Sequence, residues 1–285
     1  MVNYKKLIAI LTISLIILFS IIFYFILTKD ICGDGTPFDS CSKNKPYFCE
    51  KGVLIEKASL CQCPKDFEAQ ENICTSKYQK RPKQISLNYI LNKKIGTLNF
   101  ITYEAFVNYT QAYPKFISYS NGNIPSRKDF KIRNINEPLQ REFLLPLVIK
   151  IQNLAQSKKK QAEIAISIVQ NIPYGNSNQT LSIGKQNINS SRYPYEVLYD
   201  MHGVCSEKSE LLVFLLKEIG YGVSIFYYPE ENHEAVGIKC SGLKDYKDTG
   251  YCFIETTGIL NGEIKNLSNP EVIPISEGDS FNWFF

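Results

Sequence analysis

Histidine is almost missing from this chain: its 285 residues include two, His202 and His233, so any imidazole chemistry has only these to draw on. Charge of one sign is equally thin. The net charge is +4, and no dense basic patch is interleaved with aromatic residues, so nucleic acid is not an expected partner. No acidic loop of the EF-hand type occurs, and neither a metal nor a cofactor is expected. No internal repeat is visible. Apolar residues are plentiful, at 44% against 21% charged, which places most of the chain in a folded core. The length suits one good-sized domain and a small appendage.

The first thirty residues stand apart from that globule. Leu7 to Leu27 is an uncharged run of 21 residues, long enough to cross a bilayer as a helix. Lys5 and Lys6 precede it, while Lys29 and Asp30 cancel after it. The expected topology is a single-pass cell-membrane protein with a cytoplasmic N-terminus and the bulk of the chain extracellular. A cleaved signal peptide is the alternative; its apolar region runs to roughly 7–15 residues and ends in small ones, unlike Phe23-Tyr24-Phe25-Ile26-Leu27-Thr28.

Six of the nine cysteines, from Cys32 to Cys74, fall within 43 residues of one another. An even count in a short external segment predicts three disulfides, in any of fifteen pairings. Zinc is the competing reading, but the stretch has no histidine and no paired C-x2-C units. The predicted division is an anchor over residues 1–30, a disulfide module over 31–75, a basic linker over 76–85 and an α+β domain over 86–285. No partner of the cysteine-rich module can be read from the residues.

Within the domain, Leu98 to Tyr113 suggests a strand and a short helix. Asn136 to Ala155 reads as a helix that Pro146 kinks or splits, and Lys158 to Val169 as a second. Asn176 to Arg192 reads as a polar loop. Ser206 to Ile219 is a third helix, stopped by Gly220. Three strands follow: Gly222 to Tyr228, His233 to Cys240 and Tyr251 to Thr257. Helices followed by an antiparallel sheet make an α+β arrangement. N-x-S/T sequons at Asn108, Asn178, Asn189 and Asn266 agree weakly with an external location.

Cys205, His233 and Glu255 follow in the order of a thiol triad. Cys205 stands at the first turn of the third helix, after Gly203, where free N–H groups and the helix dipole favour a thiolate and point at a developing oxyanion. His233 begins one strand and Glu255 lies on the next, so in an antiparallel pair they are opposite or diagonal. Glu255 would fix the imidazole tautomer. Cys240 and Cys252 flank a polar turn and are expected to close a hairpin, on the face opposite the triad by strand alternation. A direct His233–Glu255 pairing would displace the two cysteines by four residues; a diagonal contact or a bulge reconciles them. Cys205 is then the odd thiol. Glu207, Lys208 and Glu210 read as the solvated face of the third helix.

The segments Tyr193-Pro194-Tyr195-Glu196-Val197-Leu198, Gly203-Val204-Cys205, Gly220-Tyr221-Gly222-Val223, Asn232-His233-Glu234-Ala235-Val236 and Ile254-Glu255-Thr256-Thr257 resemble the transglutaminase-like superfamily, particularly its archaeal thiol-hydrolase-type members. Gln170-Asn171-Ile172-Pro173-Tyr174 is similar to the element that precedes the cysteine in many of them. The likeness covers roughly residues 136–260. It implies a papain-like fold, with a cysteine on a helix packed on a sheet that carries His and an acid. That acid is Asp in most members and Glu255 here. Tyr174 and Gln170 are the candidates for a further oxyanion donor, and His202 is a loop residue in such an architecture. The expected activity is a cell-surface cysteine protease or amidase acting on a protein or peptide, with hydrolysis favoured over crosslinking. A non-catalytic adhesion module that keeps the fold is the alternative, and an envelope protein with Cys205 in a disulfide is another.

Overall fold

The computed structural model describes residues 4, 12–19, 30–113, 116–118, 120, 122, 124–176, 180–183, 186–189, 191–240, 245–257 and 267–281. Of the apolar run Leu7 to Leu27, residues 12–19 are described, as helix α1 with exposed Leu15, Ile16 and Phe19. No helix among the described residues is long and apolar enough to cross a membrane. The remainder of the expected span lies outside them, as do the sequons at Asn178 and Asn266.

The cysteine-rich segment folds as a three-stranded sheet of β1 (Ser40–Cys41), β2 (Tyr47–Glu50) and β3 (Val53–Glu56). The short helix α2 (Ala58–Cys61) and a hairpin of β4 (Glu68–Gln70) and β5 (Ile73–Thr75) complete it. Its three disulfides join Cys32 to Cys49, Cys41 to Cys61 and Cys63 to Cys74. A module this small buries little surface of its own, and it packs on its neighbours. Cys32, Tyr47, Cys49 and Leu54 share one core with the helical residues Phe143, Leu147 and Val148.

A long hairpin follows, β6 (Pro82–Leu91) with β7 (Lys94–Tyr103). Asn92 and Lys93 both take positive φ at its tip, as a two-residue turn of matching twist requires. Ile85, Leu87, Leu98 and Phe100 line its buried face. Helices α3 (Glu104–Ala112), α4 (Arg127–Ile135), α5 (Pro138–Leu154) and α6 (Lys158–Asn171) come next. Asn108 is exposed on α3.

The helix α5 runs through Pro146 as one element instead of splitting there. A helix-interior proline costs about 3 kcal/mol, and the burial of Leu144, Leu145, Leu147 and Val148 around it outweighs that. Polar side chains of α5, of α6 and of the link between them hold the disulfide module. The Asn153 amide pairs with both backbone groups of Leu54, at 2.8 and 2.9 Å. Gln156 donates to the carbonyl of Gly52, and Gln161 to that of Gly33 at 2.7 Å.

The segment expected as a loop, Asn176 to Arg192, holds a backbone hairpin, β8 (Thr180–Ile183) with β9 (Gln186–Asn189), and α7 (Pro194–Asp200) follows it. Helix α8 (Cys205–Ile219) is the centre of the molecule, and Leu211 to Leu216 are buried on every side. Gly220 ends it at φ +109°, a left-handed cap that favours glycine. Against α8 lies an antiparallel sheet, in the order β12 (Tyr251–Ile254), β11 (His233–Lys239), β10 (Val223–Tyr228) and β13 (Glu271–Ser276). The architecture is α+β, with four disulfides; the fourth joins Cys240 to Cys252.

Candidate active site

Cys205 is the first residue of α8, partly exposed, and the one free thiol among the nine cysteines. Its surroundings are built from buried charge. The Glu207 carboxylate, in the same first turn, accepts the Val204 N–H at 3.1 Å and sits where the helix dipole favours an acid. Arg192, itself buried, grips that carboxylate through Nε and Nη2 at 3.1 and 2.9 Å. The same guanidinium reaches the carbonyl of Gly175 and the carboxylate of Asp200. Gly203 forms a parallel bridge to Tyr174 and donates to the carbonyl of Pro173. A side chain there would press on Val197 and Lys208 at 3.1 and 3.2 Å. These contacts fix the path of the chain into Cys205.

His233 and Glu255 meet at 2.9 Å, Nε2 to Oε2. The β11–β12 ladder pairs Val236 with Ile254 and Ile238 with Cys252. Continued, that register sets Glu255 opposite Ala235 and Cys240 opposite Gly250. The His–Glu contact and the disulfide are therefore each diagonal by two residues, and the sheet accommodates both. Glu255 Oε1 accepts the N–H groups of Thr256 and Thr257 and the hydroxyl of Thr257. Burial works to raise the Glu255 pKa, but the hydrogen bonds from His233 and Thr257 together hold it below the ordinary value.

The His233 ring also has the Cys205 side chain as a neighbour, close enough to be the largest influence on its protonation. With Nε2 engaged by Glu255, Nδ1 is the nitrogen left for the thiol. The neighbouring Cys205 side chain and then the bond to Glu255 push the ring from 6.5 up to about 10, against the opposing pull of burial. A protonated imidazole between a sulfur and a carboxylate is the form this geometry favours at neutral pH.

No family model, curated protein or solved structure matches this chain. The transglutaminase-like resemblance rests on the order of its motifs.

Other residues singled out in the sequence divide. His202 lies in the loop before α8, with Nδ1 3.0 Å from the carbonyl of Asp200. Gln170 spends its amide on the carbonyl of Glu255, 2.8 Å away, so it supports the acid rather than facing an oxyanion. Tyr174 is 62% exposed. The reading of Glu207, Lys208 and Glu210 as a solvated face is wrong: all three are buried. Glu207 pairs with Arg192, and Glu210 with Lys131 at 2.7 Å. Lys131 also holds Glu234, the residue after His233. Lys208 donates to the carbonyl of Ile172 at 2.6 Å, and burial pulls its pKa from 10.5 down to about 8. Arg192, Lys208, Ser209 and Thr256 all shape the site, and none carried a sequence signal beyond being polar beside an apolar face.

Proposed function

We propose that this protein is a thiol hydrolase of transglutaminase-like architecture, cleaving a peptide or carboxamide bond through Cys205, His233 and Glu255. The observation that carries the reading is the imidazole of His233, bonded to the Glu255 carboxylate at 2.9 Å and close enough to the free Cys205 side chain for that group to be the largest influence on its protonation. The Cys205 sulfur attacks the carbonyl carbon, and the Cys205 N–H at the helix start faces the oxyanion. The His233 imidazolium gives its proton to the departing amine as the C–N bond breaks. Water, deprotonated by the now neutral ring, then attacks the thioester and releases acid and thiol. Glu255 keeps the ring oriented throughout.

Four disulfides support a place outside the reducing cytosol. The uncharged run Leu7 to Leu27 supports attachment to a membrane. Iodoacetamide labelling of the full chain tests the site. Cys205 should alkylate fast below about pH 7, and His233→Ala should abolish that advantage. A parent thiol as slow as free cysteine, unchanged in His233→Ala, would refute the proposal.

A further inference from the structure

The β11–β12 ladder stops at Val236 and Ile254, and the strands part just before the residues that carry His233 and Glu255. Continued two residues, the same register would pair Glu234 with Thr256. No backbone bond closes that position. A side chain from α8 closes it instead: Ser209 Oγ lies 3.3 Å from the Glu234 carbonyl and 3.3 Å from Thr256 Oγ1.

Proton counting fixes the direction of this bridge. The Glu234 carbonyl only accepts, so the single hydroxyl hydrogen of Ser209 goes to it, and Thr256 must be the donor to Ser209. The chain runs from the Thr256 hydroxyl to the Ser209 hydroxyl to the Glu234 carbonyl, with Ser209 and Thr256 fully buried and Glu234 nearly so. Ser209 is also four residues after Cys205, hence on the same face of the helix, one turn below the thiol. A buried helical serine can bond back to its own helix; this one crosses to both strands.

We propose that Ser209 is a positioning residue of the thiol site. It pins the open fork whose two tips hold His233 and Glu255 to the helix turn that holds Cys205. This inference rests on the thiol-hydrolase reading, because its purpose is the alignment of those three groups. Gln170, which holds the Glu255 carbonyl, acts on one tip only; Ser209 acts on both.

The test measures the iodoacetamide rate of Cys205 in the full chain between pH 5.5 and 9.5, for the parent, Ser209→Ala, Ser209→Thr and Thr256→Val. Loosening the fork weakens the imidazole's hold on the thiol proton, and one unit in that equilibrium is a factor of about ten. Ser209→Ala should therefore lose about tenfold in rate at pH 6 while staying within about twofold at pH 9.5. Thr256→Val should do the same, the double variant should be no worse than either single one, and Ser209→Thr, which restores the hydroxyl, should regain the rate at pH 6. A loss that is equal at all pH values, or additive in the double variant, would mean a packing role and overturn the proposal. A fast, His233-dependent parent thiol with an unchanged profile in Ser209→Ala would overturn it while leaving the hydrolase reading intact. A parent thiol indifferent to His233 would overturn both.

Discussion

Replacing Glu255 by Gln removes one charge and little else, and its consequence depends on pH in a direction that can be worked out beforehand. His233 rises from 6.5 to about 10, first through Cys205 and second through Glu255. Each unit corresponds to about 1.4 kcal/mol. The imidazole side chain is 21% exposed and the carboxylate 8%. Discounted for that solvent contact, the share of Glu255 is about 2 kcal/mol, the size of one charge-assisted hydrogen bond. A pKa raised by folding contributes stability that is complete below the unfolded value, about 6.5, and lost as pH climbs through about 10. The Glu255 pKa is lowered, so its contribution holds above the ordinary 4.5 and disappears as pH falls through the depressed folded value. Urea melts of parent and Glu255→Gln should therefore differ by about 2 kcal/mol at pH 6 and converge near pH 10.5. The Glu255 charge also raises the Lys208 pKa, so both proteins carry Lys208→Met and that group drops out of the difference. An equal penalty at pH 6 and pH 10.5 would show that the ring is neutral throughout, and the charged form argued for His233 would be wrong.

Lys208 titrates with the opposite sign. Its amine falls from 10.5 to about 8 through burial, so the folded state is penalised at low pH and relieved as pH rises. The parent should gain about 3 kcal/mol from this group between pH 8 and pH 10.5, and Lys208→Met should lack that gain in the same melts. Glu207→Gln leaves the buried guanidinium of Arg192 with Asp200 as its remaining charge partner and should cost about 2–3 kcal/mol in thermal or urea unfolding. It should also slow Cys205 alkylation, because a neutral acceptor holds the Val204 N–H less firmly. Asn153→Ala strips both backbone groups of Leu54 of their partner and should cost about 1–3 kcal/mol. Limited proteolysis would then cut within residues 40–56 before it cuts α8.

Local pattern carried much of this fold. The apolar repeat of Leu211, Leu212, Leu215 and Leu216 with Gly220 behind it marks α8, and the three strands after it follow from alternation. The cysteine count isolated Cys205, and the polar turn between Cys240 and Cys252 marked their bridge. The conflict between that bridge and a direct His–Glu pair pointed to a diagonal contact or a bulge, and the register has the diagonal contact. Charged residues were misread for a physical reason. Periodicity assigns charge to solvent, whereas Glu207 and Glu210 meet Arg192 and Lys131, partners 15 and 79 positions away in the chain. Lys131 belongs to α4, a helix whose weak apolar pattern hid it. Only tertiary packing brings such partners together, and no window along the sequence contains both. Strand β13 was missed for the same reason, since its pairing with β10 spans a long connection.

Helix α6 has a grip at each end. Gln161, near its start, holds the Gly33 carbonyl of the disulfide module, and Gln170, near its finish, holds the Glu255 carbonyl. The two lie nine residues apart, roughly 13 Å along a stiff rod. The Gly33 turn of the disulfide module and the backbone of Glu255, far apart in the chain, are thereby tied to opposite ends of one rigid helix.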